Sequence, residues 1–437
     1  MKTRIGTAII LGTTFLALPR AAHLSAQATA PAGGLTLVEV LDLAQTRNPR
    51  LQAMRAAAEA SVARQPEAST LPDPVLQLGV MNFGLPNFNT DMPTSMAPSV
   101  QLMQMVPFPG KLGLKGDIAA YDSDLSRLTV EEMEWEVRGM ASSMFYDLYA
   151  IDRRLEVMRE TLALLRDFQE VARAMYVSGM GRQADVLRAD VEVARMDGDI
   201  RSMEAMRKSM AARLNGLLDL PANAPVRSPV LGQLPLDVPD AGRLMEWAEE
   251  SRPLLAHGRA SVAQAGSRID LARRDIWPDL TVGVTYGQRD LGMGTERMGS
   301  AMVGFSLPIF AGRRQYAMRD EAVAMRRMAE ADLEGREAEV GARVGELLAE
   351  LDRARSLAAL YRDEVIPEAK ATVASALSSY RVGAVDFMTL VDAQMTVNRF
   401  EGELFQLLGE YGMAVTALES AVGRVLPLSE KTLAEAR

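Results

Sequence analysis

The sequence predicts a mixed, mainly α-helical chain with four β-strands and an internal duplication. Three patterns point to it. Two long stretches carry apolar residues at a period near 3.5, two pairs of short segments alternate apolar with polar or small residues, and a series of local signatures recurs in order in the two halves.

The long helices are the clearest element. Val130, Met133, Val137, Met140, Met144, Leu148, Ile151, Leu155, Met158, Leu162 and Leu165 step by threes and fours. Val340, Val344, Leu347, Leu351, Ala354, Ala358, Tyr361 and Val365 do the same. Such a sustained seam marks antiparallel coiled-coil packing. The stretch from Lys111 to Val177 holds no proline, and at ~1.5 Å per residue it would run ~100 Å as one helix. Its counterpart in the second half meets Pro367, where a break or kink is expected. Val177-Ser178-Gly179 and Val382-Gly383 supply glycine stops, so each half should fold its long helix into a hairpin.

The strands follow from alternation. Leu280, Val282, Val284 and Tyr286 interleave with Thr281, Gly283, Thr285 and Gly287. Ala301, Val303, Phe305 and Leu307 interleave with Ser300, Met302, Gly304 and Ser306. Leu76, Leu78 and Val80, with Val100 and Leu102, repeat the pattern less cleanly. Apolar residues outward and polar residues inward over about ten residues is the pattern of a membrane barrel strand. Four strands cannot close a barrel, and an open sheet edge in lipid leaves backbone groups unsatisfied, so other copies of the chain must complete the sheet.

The duplication orders these elements. Asn48-Pro49-Arg50-Leu51 returns as Arg252-Pro253-Leu254-Leu255, and Leu71-Pro72-Asp73 as Trp277-Pro278-Asp279. Pro107-Phe108-Pro109-Gly110-Lys111 returns loosely as Pro308-Ile309-Phe310-Ala311-Gly312-Arg313. Tyr176, Gly179, Ala189 and Gly198 return as Tyr380, Gly383, Ala393 and Gly402. The expected organisation is a signal peptide over 1–28, a first repeat over 35–222 and a second over 251–424. The first repeat has strands near 75–83 and 99–106 and a helical hairpin over 111–218. The second has strands near 280–288 and 300–307 and a hairpin over 312–422. An equatorial segment, 223–250, lies between the repeats, and a tail, 425–437, follows them.

Composition excludes several classes. The formal net charge of -9 argues against a nucleic-acid partner. The absence of cysteine removes disulfides, thiolate metal sites and a cysteine nucleophile. Of the two histidines, His23 falls in the targeting segment and His257 has no visible catalytic company. Lys2 and Arg4, the apolar run from Ala8 to Leu18, and Ala26-Gln27-Ala28 form a signal with a cleavage site, which predicts export. No later stretch is apolar for long enough to form a transmembrane helix. No phosphate loop or nucleophile elbow is visible; an enzyme is not expected, nor is a cofactor.

The order of signal, duplicated strand–strand–helical hairpin, Pro-Phe-Pro-Gly-Lys-Leu at 107–112, and Tyr380-Arg381-Val382-Gly383 with Val391-Asp392-Ala393-Gln394 resembles the TolC-like outer membrane factors. The resemblance implies a homotrimer with a twelve-stranded barrel in outer-membrane lipid, an α-helical periplasmic tunnel and an equatorial region. It implies a passive exit duct in a tripartite efflux pump, with a periplasmic adaptor and an inner-membrane RND-type pump as partners. The Phe-Pro-Gly-Lys-Leu stretch looks most like the heavy-metal branch, which exports copper, silver, zinc, cobalt or cadmium. Acylated members of that branch carry a cysteine, which this sequence lacks.

Candidate functional residues follow from position. The resemblance implies a ring of aspartates at the periplasmic entrance, for which Asp392, just past the Gly383 turn, is the first choice, with Asp386 and Asp185 as neighbours. Symmetry would bring three copies of one aspartate together on an axis, where like charges attract cations. The resemblance implies an acidic residue one turn earlier too, but that place is Thr389. Gly179 and Gly383, at the hairpin ends, are the candidate adaptor-contact tips. Methionine is abundant, at 27 residues. Met81, Met92, Met96, Met103 and Met105 gather around the first strand pair, and Met293, Met298 and Met302 around the second. Thioethers suit Cu(I) or Ag(I), and they equally fill apolar gaps. An adaptor-like or structural coiled-coil envelope protein is the alternative reading, and a barrel hydrolase is a third. The first lacks the expected lipoyl-like β domain, and the last lacks a serine–histidine–acid set.

Overall fold

The computed structural model describes residues 33–82, 85–86, 96–235, 237–290 and 294–427. The expected signal peptide, most of the loop at 84–98 with Met92, Met293, and the tail beyond residue 427 lie outside the described residues. The chain divides into a short unit, Met1–Gly34, of which only Gly33 and Gly34 are described, and a main unit, Leu35–Arg437.

The main unit repeats one plan. Helices α1 (Leu37–Arg47) and α2 (Pro49–Ser69) lead into strands β1 (Val75–Met81) and β2 (Met96–Val106). The long helix α3 (Lys111–Val177) then turns into α4 (Gln183–Leu217). In the second half, α5 (Ala241–Ser251) and α6 (Pro253–Arg274) lead into β3 (Leu280–Asp290) and β4 (Thr295–Phe305). Helices α7 (Gln315–Leu360) and α8 (Ile366–Arg381), joined by a π-helical segment (Tyr361–Val365), turn into α9 (Phe387–Val422).

Local chemistry explains the helix starts. Thr36 forms a capping box with Glu39 at α1. Asn48 caps α2 by accepting from the Leu51 N–H at 3.1 Å, and its amide donates to the Leu217 carbonyl at 3.0 Å, which ties the start of α2 to the end of α4. Pro49 and Pro253 occupy the first turns of α2 and α6, where the missing N–H costs nothing.

Helix α3 is a single element of 67 residues, ~100 Å long at the usual rise. Near Pro367, where a break or kink is expected, the second long helix leaves the α form without ending. The five-residue π segment just before the proline keeps the chain helical, and Pro367 sits in the first turn of α8, where its lost N–H is tolerated. Helix α3 packs against α4 and α9, and α9 packs against α7. Val130, Met133, Val137, Leu148, Leu155, Met158, Leu162 and Leu165 of the predicted seam are buried. On the second long helix, Val340, Val344, Leu347, Leu351, Ala354 and Ala358 are buried as well.

The four strands form one antiparallel sheet in the order β1-β2-β3-β4, so the repeats join through β2 and β3. Register places Leu102 opposite Val284, and Val284 opposite Ala301. It also pairs Leu76 with Leu102 and Leu280 with Phe305. Because side chains alternate along a strand, all these apolar residues share one face. That face is bare: Leu78, Val303 and Phe305 are 72%, 62% and 62% exposed. The opposite face carries Ser99, Gln101, Thr285, Ser300 and several methionines. β1 and β4 are edge strands with unpaired backbone.

Between the repeats, Leu35 bridges Pro229 in parallel, and Arg227 pairs with Glu39 at 2.9 Å. Trp247 of α5 and Leu426 beyond α9 are buried in one core with α7 and α9. No described helix is long and apolar enough to cross a membrane.

Candidate periplasmic entrance and barrel wall

The hairpin turns are built by the two glycines singled out. Gly179 has φ +77° and Gly383 φ +74°, the left-handed region open to glycine at little cost. Around Gly179, the N–H groups of Met180 and Gly181 both donate to the Met175 carbonyl. At the second turn, the Ala384 N–H donates to the Ser379 carbonyl at 2.9 Å. Each turn presents apolar side chains to solvent: Val177, Met180 and Val382 are strongly exposed.

The three aspartates occupy different settings. Asp386 is the N-cap of α9; its Oδ1 accepts from the Thr389 N–H at 2.9 Å and the Thr389 hydroxyl at 2.8 Å. Those two bonds, helped by the Arg188 and Arg182 charges, hold its carboxyl below the usual carboxylate range. Asp185 lies in the first turn of α4 and is buried. Its charge, after burial itself, pushes the Tyr380 hydroxyl up, so it sits close to α8. Asp392 is exposed in the second turn of α9, with no ion pair within 4.0 Å among the described residues. It lines a hollow of about 660 Å³ between α3, α4 and α9, shared with Arg154, Asp199, Met196, Met203 and Arg399. Asp185 and Asp386 therefore gather where the two hairpins meet, while Asp392 lies farther along α9. The basic companions Arg182, Arg188 and Arg154 carried no sequence signal of their own; only the packing of α4 and α9 on α3 brings them near.

Several methionines share the polar face of the sheet. Met103 is opposite Gly283, and Gly283 is opposite Met302. A Cβ on Gly283 would lie 2.8 Å from Met302 Cγ and 3.3 Å from Met103 Cγ, so the two side chains close over the glycine. The Gln101 amide donates to Met302 Sδ at 3.4 Å. Met96 covers Gly287 in the same way. Among the described residues, no group of three or more His, Asp or Glu is arranged to hold a metal ion.

Other polar clusters lie in the helical region and at the strand–helix joint. Arg138 Nη2 donates to Glu419 Oε2 at 2.9 Å, while Glu419 Oε1 accepts from the Leu426 N–H at 3.0 Å. Arg252 pairs with Glu132; burial pushes Glu132 up and Arg252 down from their ordinary ranges. His257 Nδ1 lies 3.4 Å from Arg336 Nη1, and burial lowers the pKa of the imidazole. At the start of α3 the Lys111 ammonium is buried among Asp279, Asp275 and the Trp277 carbonyl.

A sheet with a bare apolar face and open edges, joined to helical hairpins ~100 Å long, is the architecture of an outer-membrane channel subunit. The comparisons agree. The family described as outer membrane efflux protein matches residues 244–424. The cobalt-zinc-cadmium resistance protein CzcC of Cupriavidus metallidurans is 23% identical over 406 residues, covering 90% of this chain and 91% of CzcC. Among solved structures, CusC aligns with TM-score 0.76 at 15% identity, covering 89% of this chain and 92% of CusC. VceC of Vibrio cholerae aligns with TM-score 0.75 at 14% identity, covering 90% and 97%. Residues 244–424 therefore resemble the outer membrane efflux proteins, and the main unit has the fold of the solved outer-membrane channels. These likenesses are to efflux proteins and channels of the outer membrane.

Proposed function

We propose that three copies of the chain close a twelve-stranded barrel and that the trimer is the passive exit duct of a tripartite pump, passing metal ions outward. The observation that carries the reading is the four-stranded sheet with two open edges, which is stable in lipid only when further subunits pair with it. An inner-membrane RND-type pump would supply the energy and select the cargo. A periplasmic adaptor would dock on the apolar hairpin tips around Gly179 and Gly383. Metal cargo is supported by the likeness to CzcC over most of both chains, and a soft ion such as Cu(I) or Ag(I) would suit the thioethers of Met103 and Met302 on the polar face of the sheet. Asp392, with Asp386 and Asp185 behind it, would form the acidic entrance.

The test is native mass spectrometry of the detergent-solubilised protein, together with metal tolerance of a deletion strain. A trimer, and tolerance restored only when adaptor and pump are co-expressed, is the expected result. A stable monomer released into the periplasm would overturn the reading. Normal tolerance without this chain would overturn its metal cargo.

A further inference from the structure

The two repeats join strand to helix in the same way, but only one of the two joints is complete within a single chain. In the first, Lys111 follows Pro107-Phe108-Pro109-Gly110 at the exit of β2. Its Nζ lies 2.9 Å from Asp279 Oδ1, 3.4 Å from Asp275 Oδ1 and 2.9 Å from the Trp277 carbonyl. Asp279 Oδ1 also accepts from the Phe108 N–H at 2.9 Å, and the Phe108 ring stacks on Trp277 at 5.4 Å. Trp277-Pro278-Asp279 is the entrance to β3, the strand beside β2. The joint therefore locks two neighbouring strands where they pass into helix.

In the second repeat, Pro308-Ile309-Phe310-Ala311-Gly312-Arg313 leaves β4 and meets nothing equivalent. Ile309 and Phe310, in the place of Phe108, are 78% and 70% exposed. Arg313, in the place of Lys111, is exposed and has no ion pair among the described residues. The counterpart of Trp277-Pro278-Asp279 is Leu71-Pro72-Asp73, at the entrance to β1. Leu71 and Asp73 are exposed too, and Asp73 has no ion pair among the described residues. β1 and β4 are opposite edges of the sheet, so one chain cannot bring these halves together. A second copy of the chain can.

We propose that Arg313 of one subunit pairs with Asp73 of the partner subunit, repeating between subunits the clasp that Lys111 and Asp279 make within one. The inference rests on the oligomeric channel proposed above. Register supports it. Transferring the β2–β3 pairing to β4 and the neighbouring β1 places Val303 opposite the partner's Leu78, and Phe305 opposite the partner's Leu76. All four then stand on the bare apolar face, whereas a slip of one residue would put each pair on opposite faces. Arginine suits an intersubunit carboxylate because its planar fork can bind both oxygens. Ser69 occupies the position that Asp275 holds in the complete joint, so Arg313 meets one carboxylate where Lys111 meets two.

The chain has no cysteine, so the Asp73→Cys/Arg313→Cys variant presents only the introduced thiols. Treated in detergent with a short bismaleimide, it should yield covalent dimers and trimers on denaturing gels, and neither single variant should. Asp73→Arg or Arg313→Asp alone should lower by a few degrees the temperature at which the native oligomer dissociates in dodecyl sulfate; the double exchange should restore it. A native trimer that fails to cross-link, or whose charge exchange is not rescued, overturns the clasp and leaves the channel reading standing. A protein monomeric by native mass spectrometry overturns both.

Discussion

At the scale of single residues, the polar groups of the helical region that carry energy are those with two partners. Glu419 shows this. One oxygen takes Arg138 and the other the Leu426 N–H, and the side chains of the ion pair are 19% and 7% exposed. Removing one member of a buried pair leaves the other charge without compensation, which costs about 3–5 kcal/mol. Glu419→Ala should therefore lower the thermal midpoint of the purified channel, followed by circular dichroism, and release the segment after α9 to protease. Glu419→Gln, which keeps the shape and one of the two acceptor oxygens, should lose less. An unchanged midpoint for the alanine variant would mean that solvent already screens the pair.

Asp386 is a residue of a different kind: exposed, but bonded to the first turn of α9. Its folded carboxyl titrates below the unfolded value of ~3.9. The cap's contribution is therefore complete above that value and is lost as pH falls through the depressed folded value. Hydrogen exchange of the Thr389 amide, normalised to the intrinsic rate, should thus be flat from neutral pH down to the carboxylate range and rise only in acid. In Asp386→Ala protection should be low at every pH, and a wild-type rise near neutrality would assign the effect to another group.

At the scale of elements, the long helices use the same residue for close approach and for turning. Gly412 on α9 faces Tyr146 on α3, where an added Cβ would fall 2.3 Å from the ring; Gly412→Ala should cost about 1–3 kcal/mol through overpacking. At the tip, by contrast, nothing lies within 4 Å of a Cβ on Gly383, and the penalty there is the left-handed φ. That strain is ~1–2 kcal/mol, local to one turn. Gly383→Leu should consequently insert and assemble normally yet lose efflux if, as proposed, the exposed turn around Val382 is where an adaptor docks. Adaptor cross-links that mapped instead to residues 223–250 would move the docking surface to the equator.

At the scale of the whole molecule, threefold symmetry would turn single side chains into rings. Asp392 is exposed and without an ion pair among the described residues, so its charge is available to such a ring. Asp392→Ala should raise resting conductance or weaken block by divalent cations in planar bilayers, with folding unchanged. A loss of ~1.4 kcal/mol in closure would change the open-to-closed ratio tenfold. Asp185 is the weaker candidate because it is buried against α8 in the single chain. Wild-type conductance in all three alanine variants would end the acidic-entrance reading.

How much could be read beforehand follows from which interactions are local. Helix α3, the buried seam and the apolar face of the sheet were legible because periods of 3.5 and 2 are written along the chain itself. So were the turns at Gly179 and Gly383, where a left-handed residue is needed and glycine supplies it. The duplication was legible because it is repetition within one string. The π segment before Pro367 was not, since the sequence shows only that a hydrogen bond must be lost there, not how neighbouring turns absorb it. Nor was the work of Lys111: its motif stood out, but Asp279 is 168 residues away and meets it only when β2 pairs with β3. The same holds for Arg138 with Glu419 and for the different fates of Asp185, Asp386 and Asp392. Side-chain type and spacing along one element determined what each helix and strand would be. The packing of one repeat on the other decided which charges are buried, which are capped and which remain free, because those partners are far apart in sequence and converge only in the folded chain.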